Sequence, residues 1–163
     1  MKFFFTELKD VDITSMRKQD KIIVGLDIGT KTIGVSVSDR RFKIASGVTT
    51  VLRNGTDRDY RFLCESLKKY NVGAILFGWP VQMNGLPGAQ CEKISEFVEN
   101  IPKYFEVPLI KWDERFSTRV VDDVLIQADL SRKKRKQVID KSAAIYILQG
   151  ALDYLNTIGK SVI

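Results

Sequence analysis

The residues best suited to do chemistry are acids at three well-separated places: Asp27 in GLDIGT, the Asp113-Glu114 pair in WDER, and Asp140 in VIDKSAA. Carboxylates brought together repel one another and hold their protons more tightly unless a cation lies among them. The chain contains no histidine. That excludes Ser-His-Asp and Cys-His nucleophilic catalysis and every histidine-ligated zinc site. Cys64 and Cys91 are isolated, with no CxxC spacing to suggest a redox pair or a zinc site. Oxygen ligands without imidazole or thiolate select a hard cation, Mg²⁺ or Mn²⁺. Two such ions about 4 Å apart can clamp the attacking and leaving oxygens of an in-line phosphoryl displacement. With 26 Lys+Arg against 20 Asp+Glu and a net charge of +6, the chain favours a polyanionic partner, so the expected substrate is a nucleic-acid phosphodiester.

Each acid taken singly also has a plainer role open to it. Asp27 precedes Ile28-Gly29 and suits a turn; Asp113 or Glu114 suits the cap of a following helix; Asp140, placed in the first turn of the last helix, answers a helix macrodipole. The elements that carry them decide between the readings. Ile22 to Asp27 is a near-continuous β-branched run, the pattern of a central strand buried on both faces. After a turn at Gly29 to Lys31, Ile33, Val35 and Val37 alternate with Gly34, Ser36 and Ser38, the period of a half-buried antiparallel strand. Ile44 to Leu52 predicts a third strand, ended by Asn54-Gly55.

Thr56 or Asp57 caps a predicted helix with Tyr60, Leu63, Cys64 and Leu67 on its apolar side. Val72 to Phe77 predicts a fourth strand and Val107 to Trp112 a fifth, with a helix carrying Ile94, Phe97, Val98 and Ile101 between them. A third helix is expected from about Thr118. The basic run Arg132 to Lys136 predicts a break, and a last helix is expected from about Val138 to Leu155. The order implies one mixed α/β sheet: three antiparallel strands, then two parallel ones joined through helices, with the first strand central. Asp27 then lies at the carboxyl end of the central strand and Asp113-Glu114 at that of a parallel one, where open α/β sheets place their ligands. Ala143 and Ala144 are small enough to let the last helix lie close against that edge.

Four co-linear motifs, GLDIGTKTIGVSVSD (25–39), LFGWPVQMNGLPGAQ (76–90), KWDERFST (111–118) and RKQVIDKSAAIYILQGALD (135–153), resemble the YqgF family. The family is described as pre-16S rRNA nucleases or Holliday junction resolvase-like proteins with a ribonuclease H-like fold. The resemblance implies Asp27, Glu114 and Asp140 as the acidic triad, and these are the residues expected to hold two Mg²⁺ or Mn²⁺ ions. It also implies Lys31, Arg115, Ser117 and Thr118 near the scissile phosphate. Thr32 stands where a basic residue is usual, and Phe116-Ser117-Thr118 where Leu-Thr-Thr is usual; neither change touches an implied ligand. The implied activity is hydrolysis of phosphodiester bonds in maturing the 5′ end of pre-16S rRNA. The implied partners are pre-rRNA or ribosomal particles, met as a monomer or homodimer.

Two rival readings remain open to the sequence. LDIGT also resembles the first phosphate motif of actin-like ATPases and sugar kinases, but a second glycine-rich phosphate loop and an adenosine pocket have no counterpart here. The other rival is a scaffold that grips RNA and cuts nothing. No run approaches a bilayer span and the N-terminus is not a signal peptide, so a cytoplasmic protein is expected. Residues 1–20 are expected to be an N-terminal extension, with a short helix, to a nuclease domain over 21–160. The basic run Arg132 to Lys136 and the aromatic Trp79 are further candidates for nucleic-acid contact.

Overall fold

The structure is a computed structural model that describes residues 5–80, 88, 90–113 and 132–161, with side chains over 143–157 of the last span. Five strands form one sheet in the order β3-β2-β1-β4-β5. They are β1 (Ile22–Ile28), β2 (Thr32–Ser38), β3 (Ala45–Leu52), β4 (Val72–Trp79) and β5 (Leu109–Asp113). β1 pairs antiparallel with β2 and β2 with β3, whereas β4 runs parallel to β1 and β5 to β4. This is the mixed sheet, three antiparallel strands then two parallel with the first strand inside, that the run of strand and helix patterns predicts. Among the described residues the α-helices are α1 (Ile13–Lys18), α2 (Asp57–Leu67), α3 (Gln90–Val98) and α4 (Arg132–Ser161).

Strand alternation sorts the core into two layers. Val24, Leu26 and Ile28 of β1, with Ile33, Val35 and Val37 of β2, join Leu63, Leu67, Ile94, Phe97 and Val98 on one side. Ile23, Ala74, Leu76 and Ile110 meet Ile147, Leu148, Ala151 and Leu152 of α4 on the other. β1 is buried along nearly its whole length, as its composition requires. β2 departs from the half-buried expectation. Its serines face α4 rather than water, Ser36 being fully buried and Ser38 nearly so. The Ser36 hydroxyl donates to the Ala144 carbonyl at 2.7 Å, and the Ser38 hydroxyl accepts from the Ile23 amide at 2.9 Å. A short hydroxyl with a backbone partner can enter a core that a longer polar side chain could not.

One further expectation is corrected. The basic run Arg132 to Lys136 does not break the chain, because α4 begins at Arg132 and continues to Ser161. Lys and Arg are good helix formers, and the buried face of α4 extends the helix through them. The N-terminal segment carries the expected short helix, α1, and packs on the sheet. The Thr6 amide donates to the Leu109 carbonyl at 2.9 Å in a parallel bridge beside β5. Leu8 and Met16 are buried in the α4-side core. The segment therefore covers the outer edge of β5, which would otherwise offer unpaired backbone groups.

Candidate active site

Asp27 is the sixth of the seven β1 residues and the one break in that strand's burial. Residues 23, 25 and 27 share the α4 side of the sheet. Opposite Asp27 in the β1–β2 ladder is Gly34. Next to them Thr32, Gly47, Thr50, Ala143 and Ala144 contribute small side chains or none, so the packing of α4 on the sheet leaves a hollow of about 300 Å³ onto which Asp27 opens. Burial pushes its carboxyl above the ordinary value of 3.8. A carboxylate that has lost water, with no basic side chain paired to it among the described residues, is a site where a hard cation would restore the lost solvation.

The approach of α4 to this point follows from the absence of side chains. A Cβ on Gly25 would stand 2.5 Å from the Ser36 hydroxyl oxygen and 2.7 Å from the Leu148 Cβ. A Cβ on Gly34 would stand 3.1 Å from the Ala144 Cβ. The helix thus rests on bare backbone at two positions flanking Asp27, and the Ser36–Ala144 hydrogen bond sets its height. Asp140 lies in α4 one turn before Ala144, about 6 Å along the axis. It is the ninth residue of that helix, which corrects the expectation that it lies in the first turn. The macrodipole acts within the first turn only, so it does not account for an acid at this position.

The structure also separates Asp113 from its neighbour's expected role. Lys111 of β5 places its ammonium over the rings of Trp79, at 4.6 Å, and Phe5, at 5.6 Å, on the α2/α3 side. Asp113, two residues on, shares that side. It therefore sits on the opposite face of the sheet from Asp27. Trp79 packs edge-on against Phe77 with centroids 6.2 Å apart, beneath the Lys111 ammonium. Glu114, Arg115, Ser117 and Thr118, the expected helix from about Thr118, and residues 81–87 lie outside the described residues. Lys31 is exposed on the β1–β2 turn. Sequence reasoning missed Arg53, whose guanidinium donates to the Gly29 carbonyl of that turn at 2.7 Å.

Among the described residues no group of three or more His, Cys, Asp or Glu is placed to hold a metal ion, and no helix is long and apolar enough to cross a membrane.

The family model described as "RuvX: Holliday junction resolvase" matches residues 21–154. A protein of Thermoanaerobacter pseudethanolicus is 48% identical over 132 residues, covering 80% of this chain and 95% of its own. One from Clostridium kluyveri is 47% identical over 134 residues, covering 82% and 98%. One from Bacillus cereus is 47% identical over 133 residues, covering 80% and 97%. Each of the three carries the name "Putative pre-16S rRNA nuclease". Among solved structures, a Fowlpox virus resolvase bound to Holliday junction DNA aligns at 16% identity and a TM-score of 0.42, over 87% of this chain and 99% of that one. T. thermophilus RuvC with a Holliday junction substrate aligns at 12% identity and 0.43, over 62% and 69%. These overlays are too loose to add to the topology described above.

Proposed function

The chain belongs to the RuvX (YqgF) family, and from that premise we propose that it is a metal-dependent nuclease that trims the 5′ end of the 16S rRNA precursor in the bacterial cytoplasm. The observation that carries the chemistry is Asp27. It is a desolvated carboxylate on a rigid central strand, opening onto a hollow roofed by the small residues of α4. A ligand on a strand held by ladders on both sides is fixed in place, as a metal site demands.

Asp27, Glu114 and Asp140 are the residues that would hold two Mg²⁺ or Mn²⁺ ions. Bound ions would supply an activated water and neutralise charge developing on the phosphate. Asp27 keeps its carboxylate aimed into the hollow from β1. Asp140, a turn before the Ala144 that touches the sheet, supplies its acid from α4. Glu114, next after Asp113 in the sequence, would supply the third acid. Lys31 and Arg115 steady the phosphate, while Ser117 and Thr118 offer hydroxyls beside it. The 3′ oxygen leaves as the new bond to phosphorus forms. The net positive charge of the chain draws the polyanion in, an attraction that weakens with salt.

The family model's own description favours a second substrate, a four-way DNA junction. Purified protein is to be given a 5′-extended 16S precursor fragment and, separately, a four-way junction, each with Mg²⁺ or Mn²⁺. Cleavage of the RNA at its mature end is the expected result. Preference for the junction would overturn the RNA assignment and leave the metal chemistry standing.

A further inference from the structure

The β1–β2 turn begins two residues after Asp27 and carries Lys31. It is tight: the Gly29 amide donates to the Thr32 carbonyl at 2.9 Å, and a Cβ on Gly29 would stand 3.0 Å from that same oxygen. One residue outside the turn grips it twice. Arg53, just past the end of β3, donates its backbone amide to the Lys31 carbonyl at 2.9 Å, prolonging the ladder. Its guanidinium then reaches along the turn to the Gly29 carbonyl at 2.7 Å.

The guanidinium is itself held. It lies over the Phe97 ring, 5.2 Å from the centroid, and Phe97 is buried. Phe97 is fixed in turn by Tyr60, whose ring stacks on it at 4.6 Å and 11° and whose hydroxyl donates to the Phe97 carbonyl at 2.8 Å. Tyr104 stacks on the other side of Tyr60, parallel to it at 4.9 Å. A cation on an aromatic face with one donor committed to a carbonyl has few other conformations open to it. The α2/α3 layer thus reaches around the sheet through one side chain to the turn beside the site on the α4 face.

We infer that Arg53 is a positioning residue: it sets the backbone of the turn so that Lys31 is presented to the phosphate of the substrate. The inference rests on the nuclease reading for the role of Lys31, but not for the grip on the turn. Asp27 lies on β1, held by its own ladder to β2, so Arg53 acts on substrate affinity through Lys31 and leaves the acid in place. Lysine at position 53 keeps the charge and one donor but not the planar fork, and restores part of the effect.

Two measurements test it. Amide hydrogen exchange is followed at Gly29 and at Val24 to Leu26 in wild type, Arg53→Ala and Arg53→Lys. The expected result is exchange about tenfold faster at Gly29 in Arg53→Ala, less in Arg53→Lys, and unchanged protection in β1. Unchanged exchange at Gly29, or equal acceleration in β1, overturns the inference. Affinity for a labelled 5′-extended 16S precursor fragment is then measured in an Asp27→Asn background, so that nothing is cut. Arg53→Ala is expected to weaken binding about fivefold alone and less than twofold when combined with Lys31→Ala, because groups acting through one another are not additive. Additive losses mean that Arg53 touches the substrate itself, and also overturn it. Failure of the RNA to bind overturns the presentation of Lys31 to substrate, and exchange then bears on the grip alone. A wild type that cuts nothing while Gly29 responds as expected would defeat the nuclease reading and leave Arg53 in its role.

Discussion

Gly34 faces Asp27 across the β1–β2 ladder, and a Cβ on it would stand 3.1 Å from the Ala144 Cβ and 3.6 Å from the Asp27 Cβ. The missing side chain lets α4 close over the acid. Gly34→Ala requires the helix or the strand to give by a few tenths of an ångström. The expected loss is about 1–3 kcal/mol of stability, as for other overpacked sites, read from urea melts. Cleavage should fall further than stability alone explains, because the displaced turn of α4 is the one next to Asp140. Unchanged cleavage in a destabilised variant would separate α4 from the site.

Gly25→Ala should be worse. Its Cβ would meet the Ser36 hydroxyl at 2.5 Å and Leu148 Cβ at 2.7 Å, and Ser36 cannot turn away without releasing the Ala144 carbonyl. Ser36→Ala alone should cost about 1 kcal/mol, the worth of an ordinary hydrogen bond. Combined with Gly25→Ala it should recover part of the strain, so that the pair costs less than the sum of the two. A double-mutant cycle by chemical denaturation measures this; strict additivity would contradict the packing described.

Asp27 governs a pH dependence whose sign follows from its burial. Its folded carboxyl titrates above the ordinary 3.8, so the folded state holds the proton more tightly than the unfolded chain does. The ionised form therefore subtracts stability at neutral pH. That penalty is relieved as pH falls through the raised folded value and is gone below the unfolded one. In EDTA at neutral pH, Asp27→Asn should melt higher than wild type, the gap closing as the medium is acidified. Added Mg²⁺ should raise the melting temperature of wild type and not of the variant. A variant less stable than wild type in EDTA would contradict a burial penalty that no basic side chain among the described residues relieves.

Asp59 is nearly fully buried and accepts from the Asn54 amide at 2.8 Å and the Gly55 amide at 3.0 Å. Asp59→Ala strands two amides of the β3–α2 connection, with an expected cost of about 2 kcal/mol. Arg53 opens that connection, so the Gly29 amide should exchange faster as well. Denaturation and hydrogen exchange report the two effects separately.

The sheet was legible because its strands differ in kind. Ile22 to Ile28 can only be central, and the alternation of Ile33, Val35 and Val37 can only pair beside it. Ser36 and Ser38 misled because a serine between valines reads as a solvent face, whereas here the hydroxyls bind backbone under a helix. The run Arg132 to Lys136 misled in the opposite direction: its charge suggested a loop, but its residue types extend a helix once part of that helix is anchored. Asp27 was legible as a carboxylate misplaced in an apolar strand. Arg53 was not, since nothing local to VLRNGT reveals that its side chain ends on Gly29 and Phe97.

The most direct test of the account compares wild type with Asp27→Asn on a 5′-extended 16S precursor fragment, measuring binding and Mg²⁺- or Mn²⁺-dependent cleavage together. The account predicts that both bind while the variant cuts about 100-fold more slowly or not at all, the loss typical of removing one group that stabilises transition-state charge. Equal cleavage by the two proteins, or equal binding with no cleavage by either, would contradict it.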